Sequence, residues 1–206
     1  MNSIPTIITI GGNNSSGKST IARSLADFLV YKHESTGDEM RLIATKRQIT
    51  LEQLSKDAET DPTIDEALDA FNKEIGTRNR VVLDSRLGFY FIPNSFKVFL
   101  SASVNIAAKR YLEDKARNPQ RLNETNNVLN SVEDVACSLN KRLESERKRY
   151  RLMYNIEDHT DPNNFDLVID TGSPEFDNNI NGIVFFIQKK YNEWLISAEK
   201  KQLQEK

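Results

Sequence analysis

Between a β-branched run and an amphipathic helical pattern the chain spells GGNNSSGKST over residues 11–20, and few strings restrict a fold so severely. Gly12 to Ser19 satisfies the pattern G-x-x-x-x-G-K-[ST], with TIITI (6–10) before it and Lys18 opening a helix behind it. The residue choice follows from what such a loop must do. Glycine lets the backbone take positive φ and bring its N–H groups close around an anion, while the following helix aims its positive end at the same point. The nine residues Gly12, Asn13, Asn14, Ser15, Ser16, Gly17, Lys18, Ser19 and Thr20 are therefore the expected cradle for a triphosphate. In it Lys18 supplies a point charge, the Ser19 hydroxyl a Mg²⁺ ligand and Thr20 a further phosphate contact.

The motif alone leaves GTPases, motor ATPases and small-molecule kinases open. A guanine-reading [NT]KxD is missing: NKEI (72–75) and NKRL (140–143) lack the aspartate, and no DxxG follows a strand. An adenine nucleotide is the expected donor.

The remaining chain alternates short β-branched runs with longer helical patterns, the rhythm of a parallel sheet covered on both faces. Strands are expected at 6–10, 31–35, 80–85, 96–102 and 165–171. Helices are expected from Lys18 to Tyr31, from Asp38 to Arg47, behind Thr50 as N-cap, and from Pro62. Further helices follow Ser103 and Ser131, and the last is expected to open on Ser173 and Pro174, with Ile180, Ile183, Val184, Ile187 and Tyr191 facing inward. KARNPQRLNETNNVLN (115–130) is rich in asparagine and poor in apolar residues, and reads as a mobile excursion.

Composition narrows the partners. The 206 residues carry 28 basic and 30 acidic side chains, so no global positive field exists to hold a nucleic acid or an anionic membrane surface. The lone Cys137 cannot form an internal disulfide, and the start MNSIPTIITIGG lacks a signal-peptide pattern. The expected protein is one domain over 1–206, monomeric and cytoplasmic, with no nucleic-acid or membrane partner.

Phosphoryl transfer between two phosphorylated partners concentrates negative charge, which requires arginines converging from separate elements. Arg41 lies on the helix after the second strand, and Arg86 just past the third in VVLDSRLG, beside Asp84. That is the sheet edge where open α/β folds bind ligands, so Asp84 is a candidate for Mg²⁺ or for orienting the acceptor. Arg142 and Arg149 are seven residues, about two turns, apart on the helix behind Ser131. The plainer alternative for that helix is a solvated, salt-bridged face.

The stretches ITIGGNNSSGKSTIARSLADFL, ESTGDEMR, VVLDSRLG, FLSASVNIAAKR and SERKRYRLMYNI together resemble cytidylate kinase, especially its compact archaeal-type branch, over roughly residues 5–172. The resemblance implies an α/β, three-layer P-loop NTPase fold with a five-stranded parallel sheet, a monophosphate-binding arm (36–79) and a mobile lid (111–149). It implies ATP with Mg²⁺ as donor and CMP or dCMP as acceptor. Carried to matching positions, Gly12 to Thr20 hold the ATP phosphates, and Thr36 and Gly37 lie beside the acceptor. Arg41 and Arg86 bind the acceptor phosphate, with Asp84 next to them, and Ser19 and Asp84 serve the metal. Lys18, Arg86, Arg142 and Arg149 form the catalytic set. The position where bacterial members place a cytosine-reading aspartate holds Leu87 here, and Asp65, Asp69 and Asn72 are the candidates to replace it, beside their plainer reading as the polar side of a core helix. The alternatives are a kinase of the same fold with another small acceptor, and a nucleotide-binding regulatory module without turnover.

Overall fold

The β-branched runs do form one parallel sheet. The computed structural model describes residues 6–117 and 129–204. Its strands are β1 (Ile7–Gly12), β2 (Lys32–Ser35), β3 (Val81–Asp84), β4 (Phe96–Ser101) and β5 (Leu167–Asp170), in the order β2-β3-β1-β4-β5. Every pairing is parallel; Ile8 stands opposite Val82 on one side and Phe96 on the other. β1 is central and completely buried, which is why its sequence shows no polar alternation; its one polar side chain, Thr9, is hydrogen-bonded to Ser95 Oγ (2.9 Å).

The helices are α1 (Lys18–Leu29), α2 (Thr36–Arg47), α3 (Leu51–Asp57), α4 (Pro62–Ile75), α5 (Gly88–Phe91), α6 (Val104–Arg117), α7 (Val132–Tyr154) and α8 (Ile180–Gln204). Side chains alternate across β1, and so does its packing. Ile8 and Ile10 join Leu25, Ile183, Ile187 and Tyr191 under α1 and α8, whereas Ile7 packs on the opposite face with Ile75, Val81, Leu83 and Ile92. A third, separate core of Met40, Ala44, Leu54, Ala58 and Ile64 holds α2, α3 and α4 to one another beyond the β2 end of the sheet. No described helix is long and apolar enough to cross a membrane.

Local capping sets most boundaries where the sequence placed them. The hydroxyl of Thr50 accepts from the Gln53 amide (3.1 Å), that of Ser131 from Asp134 (3.0 Å) and that of Ser103 from Ile106 (3.3 Å). Three expectations shift. α1 stops at Leu29 because Val30 turns left-handed (φ 56°), and α2 starts two residues early because Ser35 caps the Asp38 amide. The last helix does not open on Ser173 and Pro174: 171–178 form successive turns, Asn178 turns left-handed (φ 55°), and Asn179 caps the Gly182 amide (2.9 Å). In consequence Ile180 is exposed rather than inward. Of the expected excursion 115–130, Lys115–Arg117 close α6 and most of the rest lies outside the described residues.

Candidate active site

The loop after β1 is shaped by two backbone positions. Gly12 takes φ 150°, and a Cβ there would sit 2.2 Å from the Leu100 carbonyl oxygen, so only glycine lets the loop cross β4 this closely. Gly17 takes φ 88° as the residue before α1, and no side chain caps the helix. The first-turn amides of α1 are thus left to face whatever occupies the loop. Lys18 folds back so that its Nζ donates to the Asn13 carbonyl (2.7 Å). Ser16 is buried, whereas Thr20 lies exposed at the start of α1.

The carboxyl end of β3 ties this loop to its neighbours. Ser19 Oγ donates to Asp84 Oδ2 (2.5 Å), and Thr36 Oγ1 at the start of α2 donates to the Asp84 carbonyl (3.2 Å). A hydroxyl and a carboxylate side by side are hard oxygen donors that suit Mg²⁺, and no cluster of three or more His, Cys, Asp or Glu exists among the described residues to cage another metal. The donor set therefore fits a cation that takes its remaining ligands from phosphate and water.

Arg86, two residues past β3, reaches the P-loop, where Nη2 donates to Asn14 Oδ1. Its Nε meets Glu146 Oε2 on α7 at 2.9 Å, and Glu146 Oε1 takes the Nε of Arg142 at 3.0 Å. His159, on the segment after α7, brings Nε2 to 3.7 Å from Glu146 Oε2 and stacks edge-on against Tyr150. Gly12, Asn13, Asn14, Arg86, Glu146 and His159 line one cavity with residues of α6 and α7. Lys18, Arg86 and Arg142 thus come from three elements to within electrostatic reach of one another, with Arg86 on the cavity wall.

The electrostatics reflect that crowding. Burial and the nearby Arg86 guanidinium lower the Lys18 ammonium to about 8, with Asp84 and Glu146 pulling the other way. Burial opposes the charge of Glu146, but Arg86 and Arg142 outweigh it and hold the carboxyl at about 2. Burial also drives His159 to about 4 against the attraction of Glu146.

His159 is accordingly a source of acid sensitivity. Its folded value lies below the ordinary 6.5, so between those two pH values the unfolded chain binds a proton the folded chain refuses. That contribution is complete above pH 6.5 and drains as pH falls towards 4, by about 3 kcal/mol over the window. Urea unfolding of wild type and His159→Phe at pH 7 and pH 4.5 is expected to show a flatter pH dependence in the variant; equal slopes would remove His159 from this role.

Two expected arginines stand apart from this cluster. Arg41 on α2 is paired with Asp38 (2.7 Å), and its Nη1 lies 3.6 Å from where a Cβ on Gly37 would be. Arg149 faces α4, its Nε 3.0 Å from Asp65 Oδ2 without the alignment of a hydrogen bond, and its guanidinium lies over the Tyr150 ring. α7 continues along α4 with Tyr154 donating to Asp69 (2.9 Å), and Asn72 accepts from Ser85 (2.9 Å). Sequence reasoning missed Glu146 and His159. The i,i+4 spacing of Arg142 and Glu146 was visible but reads equally as a surface pair; His159 carried no signal.

The model of the cytidylate kinase-like family matches residues 7–173. The cytidylate kinase of Methanosphaera stadtmanae is 31% identical over 188 residues, covering 89% of this chain and 99% of that protein. That of Natronomonas pharaonis is 36% identical over 168 residues, covering 80% of each. Among solved structures, the shikimate kinase of Bacteroides thetaiotaomicron superposes with a TM-score of 0.59 at 14% identity, covering 91% of this chain and 98% of that one, a likeness of P-loop kinase fold alone. The family match spans all five strands, the P-loop behind β1 and the Arg86 and Arg142 that share Glu146, and on it this chain belongs to the cytidylate kinase-like family.

Proposed function

We propose that the chain transfers the γ-phosphoryl group of ATP to CMP or dCMP, giving ADP and the nucleoside diphosphate, as a monomer. The observation that carries this reading is the gathering of Lys18, Arg86 and Arg142, from α1, the β3 edge and α7, within electrostatic reach of one another around the P-loop, where Lys18 donates to the Asn13 carbonyl, Arg86 to Asn14 and Ser19 to Asp84.

In this mechanism the triphosphate replaces the Asn13 carbonyl as the partner of Lys18, while the amides from Asn13 to Thr20 bind its oxygens. With its ammonium titrating near 8, Lys18 holds its proton at neutral pH and acts as a charge. Mg²⁺, when bound, supplies neutralisation of phosphate charge next to Ser19 and Asp84. Arg86 and Arg41 hold the acceptor phosphate, with Thr36 and Gly37 beside the nucleotide. Arg142 approaches the group in transfer, and Arg149 would join it only by leaving Asp65 as the lid moves. An acceptor phosphate oxygen is already a nucleophile, so positioning and charge carry the reaction, with no covalent enzyme intermediate. The separately cored α2–α4 unit supports 36–79 as the arm for the monophosphate, and we assign 111–149 as the lid that excludes water.

A panel of CMP, dCMP, UMP, AMP, GMP and shikimate with Mg²⁺·ATP, followed by ADP release, tests the reading. CMP and dCMP are expected to raise ADP formation at least about 100-fold over hydrolysis alone. If CMP, dCMP and UMP all stay at the hydrolysis background, the pyrimidine acceptor is wrong.

A further inference from the structure

We propose that Glu146 is a positioning residue for phosphoryl transfer, its single carboxylate fixing Arg86 and Arg142 by their Nε atoms so that their Nη ends meet the phosphates. The inference rests on the transfer reading above and concerns how its cations are held.

The geometry is specific. Glu146 is 6% exposed, although it stands on a helix whose charged residues are mostly solvated. Oε2 takes Arg86 and Oε1 takes Arg142, one oxygen to each guanidinium, at 2.9 and 3.0 Å. A carboxylate usually engages an arginine through two parallel bonds to one fork, which consumes the donors a phosphate needs. Here contact at Nε leaves the forks: Arg86 already turns Nη2 onto Asn14 of the P-loop, and Glu146 is the one hydrogen-bond partner of Arg142 among the described residues. Glu146 also lines the same cavity as Gly12, Asn13 and Asn14.

Charge gives the reason for a carboxylate at this point. Lys18, Arg86 and Arg142 repel one another when no phosphate is present, and all three are set in a partly desolvated pocket. The groups facing them are Asp84 from β3, Glu146 from α7 and the neutral His159 from the segment after it. Three cations against two carboxylates leave the pocket net positive, still attractive to phosphate, yet assembled before it arrives. Preassembly of this kind spares the transition state the work of gathering its donors.

Glu146→Gln tests this directly. An amide keeps one acceptor but turns an N–H₂ towards the other guanidinium, so one arginine must let go. With Mg²⁺·ATP and CMP we expect kcat to fall about 30-fold. The affinity for Mg²⁺·adenylyl imidodiphosphate, measured by calorimetry, should remain close to wild type, whereas the melting temperature should fall, since two guanidiniums lose the carboxylate they share. Because Glu146 acts through Arg142, the double variant with Arg142→Ala should turn over within about 3-fold of the slower single variant rather than at the product of the two losses. An unchanged kcat in Glu146→Gln, or losses that multiply in the double variant, overturns the assignment. Should Glu146→Gln fail to fold, Glu146→Asp carries the test: it keeps the charge but falls one methylene short of spanning both arginines, and about a 5-fold loss of kcat at unchanged analogue affinity is expected. Wild-type kcat there, or equal losses in kcat and affinity, overturns it. Turnover of CMP by the wild type is scored separately, since its absence counts against the acceptor and not against Glu146.

Discussion

Lys18→Ala should yield a folded protein whose turnover of CMP is at least about 1,000-fold below wild type. Two features of the site set the size and sign of this prediction. The ammonium reaches back over the loop to the Asn13 carbonyl, at the mouth of the amides that would hold the β and γ phosphates, and the cavity beside them is lined by no lysine that could replace it. Its proton is bound less firmly than usual because burial and Arg86 disfavour the charge, so folding gains nothing from it at neutral pH. Truncation therefore relieves repulsion instead of opening the core, and the melting temperature should hold or rise slightly. Lys18→Met, which keeps the stem, should be equally inactive. Circular dichroism melting together with ADP release checks both halves: a protein that unfolds on truncation, or one that loses less than about 10-fold in kcat, contradicts the role given to Lys18.

How much of this site could be read in advance depended on whether its information was local. The P-loop is a contiguous string whose glycines answer backbone demands at their own positions, and Gly12 and Gly17 meet those demands in the structure. Strand positions and caps were legible for the same reason: an apolar run or a Ser three residues ahead of an amide donor acts where it stands. Arg86 was legible because chain position alone put it past the end of a central strand. Long-range pairing was not. The i,i+4 spacing of Arg142 and Glu146 says only that they share a helix face, and the burial of Glu146 comes from Arg86, sixty residues earlier in the sequence. Arg149 shares that face at i+7 from Arg142, yet α7 passes along α4, and Arg149 finds Asp65 there instead of the cavity. The start of α8 failed on a competition between two local signals. Ser-Pro at 173–174 is a good helix opening, but the left-handed Asn178 ends the turns and Asn179 provides the cap in use.

Arg86→Ala is the second large effect, a loss of at least about 100-fold in kcat, and it separates charge from geometry. This guanidinium is 17% exposed and joins three parts of the site at once: the β3 edge that carries it, Asn14 of the P-loop and Glu146 of α7. Removing it deletes a fixed donor beside the P-loop, where the proposed transfer takes place, and it leaves the 6% exposed Glu146 facing Arg142 alone. A buried carboxylate stripped of one of two partners costs stability, on the order of 3 kcal/mol, so the melting temperature should fall as well. Arg86→Lys distinguishes the two consequences. An ammonium restores the charge beside Glu146 and should recover most of the melting temperature. It cannot hold Glu146 and Asn14 while presenting a planar fork to phosphate, so kcat should stay at least about 30-fold down. If Arg86→Lys regains both stability and turnover, a point charge suffices there and the fork geometry is irrelevant. If Arg86→Ala turns over CMP at near the wild-type rate, Arg86 is a structural tie between β3 and α7, and the phosphate must be met by other groups.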